Sequence, residues 1–209
     1  MKQARIKIKV CGITRASDAQ LAASLGADAV GFIFAESPRK ADVETCRKII
    51  SLLPPFVDAV GVFVNEDAKK VKEIAAFCRL DWVQLHGNEP PEYCRRLGLK
   101  ALKVIRVKDS RSMEQMHAYQ GVAGGFLLDT YVAGIAGGTG KTFNWDLAVQ
   151  AKECGPVILS GGLTPENIRL ATETVMPYGV DISSGVEASP GIKDENRLRE
   201  LFLNIRTPL

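Results

Sequence analysis

Short runs rich in Val, Ile and Phe recur along the chain, and several are apolar on both alternations, as in Ala29-Val30-Gly31-Phe32-Ile33-Phe34. A strand with one wet face alternates, whereas a strand apolar at every position is buried on both sides, which is the condition of a parallel sheet covered by helices. Eight such runs are legible, at 6–13, 29–34, 59–64, 82–86, 101–107, 125–130, 157–161 and 180–183. Between them lie stretches of helical period. Cys46, Ile49, Ile50 and Leu53 fall at i, i+3, i+4 and i+7, as do Val71, Ile74, Ala75 and Cys78, and again Leu198, Leu201, Phe202 and Ile205; each set makes one apolar stripe. Thr164-Pro165 offers a hydroxyl at an N-cap and a proline at the first helical position, and Gly26, Gly98 and Gly155 stand where helices should end.

Eight βα units joined by right-handed crossovers either lie open in a doubly wound sheet or close into a barrel. An open sheet usually carries GxGxxG after its first strand, and here that position reads Val10-Cys11-Gly12-Ile13-Thr14-Arg15. The expectation is therefore an α/β chain forming a single (β/α)8 TIM barrel. With 209 residues, 46% of them hydrophobic, and no composition shift or Pro/Ser-rich linker, residues 1–209 read as one domain. In such a barrel the strand C-termini and the loops after them form the active face.

Charge narrows the class of partner. The 27 basic and 24 acidic residues are spread along the length, so no basic stripe for a nucleic acid backbone is visible, and a small anionic substrate fits better. The amino terminus alternates lysines with isoleucines and no later stretch approaches a membrane span, so a cytoplasmic protein is expected. Cys11, Cys46, Cys78, Cys94 and Cys154 are odd in number, contain no CxxC and do not group with His86 or His117 at ligand spacing, which speaks against structural zinc or a disulfide framework.

The strand ends give a short list of mouth residues: Cys11, Ser37-Pro38-Arg39, Asn65, Gln84, His86, Arg106, Asp129, Ser160-Gly161-Gly162 and Asp181-Ile182-Ser183-Ser184-Gly185. Glycines and serines closing the last two strands can bring backbone amides and hydroxyls to an anion, which is where barrels commonly bind phosphate. Gly137-Gly138-Thr139-Gly140-Lys141-Thr142 ends like a Walker motif but has Ile135 where that motif needs glycine, so a mobile loop closing over a substrate (133–143) is expected instead. Cys11 would face the mouth. Asp129, after Phe126-Leu127-Leu128, is costly at the end of so apolar a strand unless it is solvated, paired or functional. Cys46, Cys78 and Cys94 have helical core positions, His117 reads as surface or packing, and Trp145 as core.

Seven of these stretches, in order, resemble the phosphoribosylanthranilate isomerases: Lys9-Val10-Cys11-Gly12-Ile13-Thr14, Ser37-Pro38-Arg39, Val83-Gln84-Leu85-His86-Gly87, Leu127-Leu128-Asp129, Gly137-Gly138-Thr139-Gly140, Leu159-Ser160-Gly161-Gly162-Leu163 and Val180-Asp181-Ile182-Ser183-Ser184-Gly185-Val186-Glu187. The resemblance runs over nearly the whole chain and implies an Amadori rearrangement in tryptophan biosynthesis. In that chemistry an acid protonates a ribose ring oxygen, and a base takes the proton from the adjacent sugar carbon. It implies Asp129 as acid and Cys11 as base, with Arg39, His86 and Asp181 binding substrate and Gly161, Gly162, Ser183 and Ser184 holding phosphate. Free thiols titrate near ~8.5 and free Asp near ~3.9, so the site is expected to move one or both. The iminium intermediate is its own electron sink, so no cofactor and no metal are required. The expected partner is a small phosphosugar, with the chain a monomer or homodimer. A sister barrel of histidine biosynthesis uses an aspartate at the first strand end, where this chain has Cys11. A non-catalytic phosphosugar-binding module is the reading from another class.

Overall fold

The computed structural model describes residues 5–107, 109, 111–130 and 145–206. Among them strand and helix alternate: β1 (Lys7–Cys11), α1 (Ala16–Leu25), β2 (Ala29–Ile33), α2 (Val43–Ile50), β3 (Asp58–Phe63), α3 (Ala68–Cys78), β4 (Trp82–Leu85), α4 (Pro91–Leu97), β5 (Ala101–Val107), α5 (Arg111–His117), β6 (Gly125–Thr130), α6 (Trp145–Ala151), β7 (Val157–Leu159), α7 (Ile168–Val175) and β8 (Gly179–Ile182). The hairpin β9 (Glu187–Ser189) and β10 (Ile192–Lys193) and the helix α8 (Glu195–Arg206) complete the chain. The strands β1 to β8 are parallel and close into a barrel, β8 pairing back onto β1. The (β/α)8 barrel expected from the doubly apolar runs is the fold observed.

The register fixes who meets whom at the mouth. Closure of the barrel sets Lys9 opposite Asp181, and β1 against β2 sets Cys11 opposite Gly31. Outward strand residues pack under the helices: Val30, Phe32, Phe126, Leu128 and Leu159 are fully buried, as are Cys46 of α2 and Leu198, Leu201 and Phe202 of α8. Helix entries are fixed by carboxylates: Asp42 accepts from the Thr45 amide at 2.8 Å, and Asp67 from the Lys69 and Lys70 amides at 2.9 and 3.3 Å. Gly26 ends α1 at φ 89°, a left-handed turn that costs glycine little.

Three local expectations need correction. The α7 helix begins at Ile168, not at Thr164-Pro165. The Asn167 side chain explains the delay: its Oδ1 accepts from the Thr164 amide at 2.9 Å and its Nδ2 donates to the Gly162 carbonyl at 2.8 Å, pinning a turn first. Leu53 lies beyond the end of α2, though it still packs on the core. The hairpin β9–β10 has no counterpart among the eight runs, and it carries two residues of the site. The Gly137–Thr142 motif lies outside the described residues.

Candidate active site

The nine residues expected to act on substrate line one cavity of about 480 Å³ at the C-terminal mouth: Cys11, Arg39, His86, Asp129, Gly161, Gly162, Asp181, Ser183 and Ser184; Asn65, Arg106 and Ile182, also expected at the mouth, do not line it. The reason is topological. Each follows a strand of a closed parallel barrel or lies near its C-terminal end, so positions far apart in sequence converge on one rim. A larger cavity, about 750 Å³, opens beside it along β5, α4 and α5 and shares only His86 with the first.

The acid-base candidates come from different strands. Asp129, next to last in β6, is 5% exposed, with the His86 Nε2 3.3 Å from its Oδ2. His86 is oriented in turn from its own strand: Gln84 Nε2 lies 3.4 Å from His86 Nδ1. The Gln84 Oε1, also on the cavity wall, is buried without a hydrogen-bond partner among the described residues. Cys11 ends β1 and is 5% exposed. Burial pushes its thiol above the ordinary range; the Lys9 ammonium opposes that shift and Asp181 reinforces it. Cys46, Cys78 and Cys94 are buried packing residues: burial pushes Cys46 up to about 12 and raises Cys78 and Cys94 as well.

Between β6 and β1 the last two barrel loops, after β7 and β8, are in backbone contact. A Cβ on Gly185 would sit 1.9 Å from the Leu163 carbonyl oxygen, so only glycine permits this approach. Gly161 and Gly162 adopt φ of 84° and 66° in succession, a backbone that turns amides toward a common point. The Ser183 hydroxyl reaches the same rim beside Gly12, and a 3-10 turn starts at Ser184.

Three ion pairs absent from the sequence reading hold this rim. Lys9, inside the barrel, donates to Asp181 Oδ1 at 2.8 Å, and both side chains are buried. Lys193 of β10 reaches back to donate to the Cys11 carbonyl at 2.6 Å, the Ser183 carbonyl at 3.3 Å and Glu187 Oε1 at 2.8 Å. Glu187 also accepts from Arg39, whose Nε and Nη2 lie 2.8–2.9 Å from it. Arg39 thus reaches the cavity with one side of its guanidinium already engaged. Burial works against the Glu187 carboxylate, but Arg39 and Lys193 hold it below its ordinary range. On the β4 side Lys103 donates to Glu89 Oε2 at 2.8 Å and to the Gly87 carbonyl at 2.7 Å, and Glu89 accepts from the Asn65 amide at 2.7 Å, fixing the loop after His86.

A family model described as N-(5'-phosphoribosyl)anthranilate (PRA) isomerase matches residues 8–204. The chain belongs to that family. A PRA isomerase of Geobacter metallireducens is 53% identical over 198 residues, covering 94% of this chain and 97% of the relative. Among solved structures, monomers of the dimeric enzyme of Thermotoga maritima superpose with a TM-score of 0.86 at 40% identity, covering 96% of this chain and 98% of that one. A PRA isomerase solved in complex with reduced 1-(o-carboxyphenylamino)-1-deoxyribulose 5-phosphate gives 0.87 at 40% identity with the same coverage. Family membership makes this chain an isomerase; no helix among the described residues is long and apolar enough to cross a membrane.

Proposed function

We propose that residues 1–209 work as one catalytic domain, in the cytoplasm, that converts N-(5'-phosphoribosyl)anthranilate into 1-(2-carboxyphenylamino)-1-deoxyribulose 5-phosphate. The observation that carries this reading is that a thiol on β1, a carboxyl on β6 and a glycine-serine anion cradle after β7 and β8 line a single cavity. Phosphate binds at Gly161, Gly162, Ser183 and Ser184, which anchors the sugar with its ring over the barrel axis. Asp129 gives a proton to the furanose oxygen; the ring C–O bond breaks and the anthranilate nitrogen lone pair forms a C=N iminium. Cys11 as thiolate then removes the proton from the neighbouring sugar carbon, and the C–H electron pair moves into the iminium to give the enolamine, which tautomerises to the ketone. The iminium accepts the electrons, so neither metal nor organic cofactor is needed. Arg39 meets the anthranilate carboxylate with the side that Glu187 does not occupy, His86 binds substrate beside Asp129, and Asp181 orients the sugar.

The decisive experiment follows the fluorescence of phosphoribosylanthranilate generated in situ as the purified protein consumes it. Cys11→Ala and Asp129→Ala should each lose about 10³-fold or more in kcat while still binding the reduced product analogue. Full turnover in either variant removes that residue from its role. For assembly, the homodimer is favoured over the monomer by Phe56, Met176 and Tyr178, which are 98%, 55% and 57% exposed, Tyr178 and Phe56 lining one cavity at the N-terminal mouth. Sedimentation equilibrium decides between them.

A further inference from the structure

Among the side chains that no step above uses, Lys9 is the least expected. It points into the barrel, where bulky branched residues normally fill the space, and is 4% exposed. Strand period puts it on the same face as Cys11, two residues on. An ammonium so buried is unfavourable unless it is paired; burial works against it, but the Asp181 carboxylate 2.8 Å away and the neighbouring Cys11 together hold Lys9 above its ordinary range.

That pairing alone would account for a structural lysine; Gly31 shows that more is built here. Gly31 sits in the middle of β2, opposite Cys11, without a positive φ to explain it. A Cβ at that position would lie 2.7 Å from Cys11 Sγ and 3.1 Å from Lys9 Nζ. The missing side chain leaves a notch that the thiol and the ammonium share. Around Cys11 the charged groups are Lys9 on its own strand, Asp181 on β8, and Lys193 on β10, which holds the Cys11 carbonyl and is itself compensated by Glu187 and Arg39; β2 presents only the Gly31 backbone.

We propose that Lys9 is a positioning residue for the base: its ammonium, pinned by Asp181 in the Gly31 notch, is the resident counter-charge that favours the Cys11 thiolate against the cost of burial. The inference rests on Cys11 being the base. As the sulfur takes the proton from the sugar carbon it loses its negative charge and Lys9 keeps its own; no proton passes through the lysine. Asp181 has two opposed effects, fixing the ammonium and repelling the thiolate, so the role of Lys9 is read from variants of Lys9 itself.

The test measures the rate of Cys11 alkylation by iodoacetamide against pH, by peptide mass spectrometry, alongside the pH profile of kcat/KM. Lys9→Met should raise both midpoints by about one pH unit or more, an about tenfold loss of thiolate at neutral pH. Lys9→Gln, which removes the charge but can still donate to Asp181, should raise the alkylation midpoint in the same direction and supplies the test on its own if Lys9→Met does not fold. An alkylation midpoint that neither Lys9→Met nor Lys9→Gln moves overturns the role of Lys9. Turnover surviving in Cys11→Ala, with the alkylation shifts intact, instead sinks the assignment of Cys11 as base.

Discussion

The two mouths of this barrel enclose cavities of similar size, about 480 Å³ at the C-terminal end and about 440 Å³ at the N-terminal end, yet they hold charge differently. One strand displays the contrast. Lys7 and Lys9, two residues apart on β1, each pair with an aspartate, at 2.9 Å with Asp28 and at 2.8 Å with Asp181. Lys7 is half exposed and its partner also accepts from Arg5 and the Ile8 amide, an arrangement that water can replace. Lys9 and Asp181 are sealed in the barrel, and Lys103 with Glu89 and Lys193 with Glu187 are equally buried outside its strands' inner face, around the same end. Volume therefore does not distinguish a working mouth from an idle one. Buried charge held by opposite charge does, because it is costly to maintain and fixes polar groups before any substrate arrives.

Substitutions at the two ends sharpen the contrast. Lys103→Met leaves the Glu89 carboxylate buried without its cation and should cost about 3–5 kcal/mol in denaturant unfolding, enough to lower the Tm by many degrees. The sign of the pH effect is fixed as well. Lys103 holds the Glu89 carboxyl below its ordinary range against the cost of burial, so its contribution to stability is fully present above about pH 4.3 and is lost as pH falls through the lower folded value. Gly162→Ala should act next, straining a residue at φ 66° by about 1–2 kcal/mol and raising KM more than it lowers kcat, because it disturbs the anion cradle. Lys7→Met at the other mouth should change stability by no more than about 1 kcal/mol and leave turnover untouched. Equal losses at Lys7 and Lys103 in the same unfolding series would erase the distinction drawn here.

The sequence was most informative where period and topology act together. Doubly apolar runs specify parallel strands, closure puts their C-termini on one rim, and so Cys11, Asp129 and the closing glycines could be gathered without coordinates. Lys9 was also within reach, since strand period puts it on the face of Cys11, but a lysine in an apolar run reads as solvated unless its partner is known, and Asp181 lies 172 residues away. Lys193 offered no such signal. Its contact with the Cys11 carbonyl depends on a short hairpin whose five strand residues carry no apolar alternation. Arg39 was placed at the mouth correctly, yet its engagement by Glu187 is a matter of side-chain direction, which spacing does not encode.

The most direct measurement is a crystal structure of this protein with the reduced 1-(o-carboxyphenylamino)-1-deoxyribulose 5-phosphate. The prediction is a phosphate on the amides of Gly161 and Gly162 with Ser183 and Ser184, the Cys11 sulfur within about 3.5 Å of the sugar carbon next to the amine-bearing one, and the Asp129 carboxyl on the far side of the same ribose. A ligand seated in the larger neighbouring cavity, or one that reaches only one of the two groups, contradicts the account.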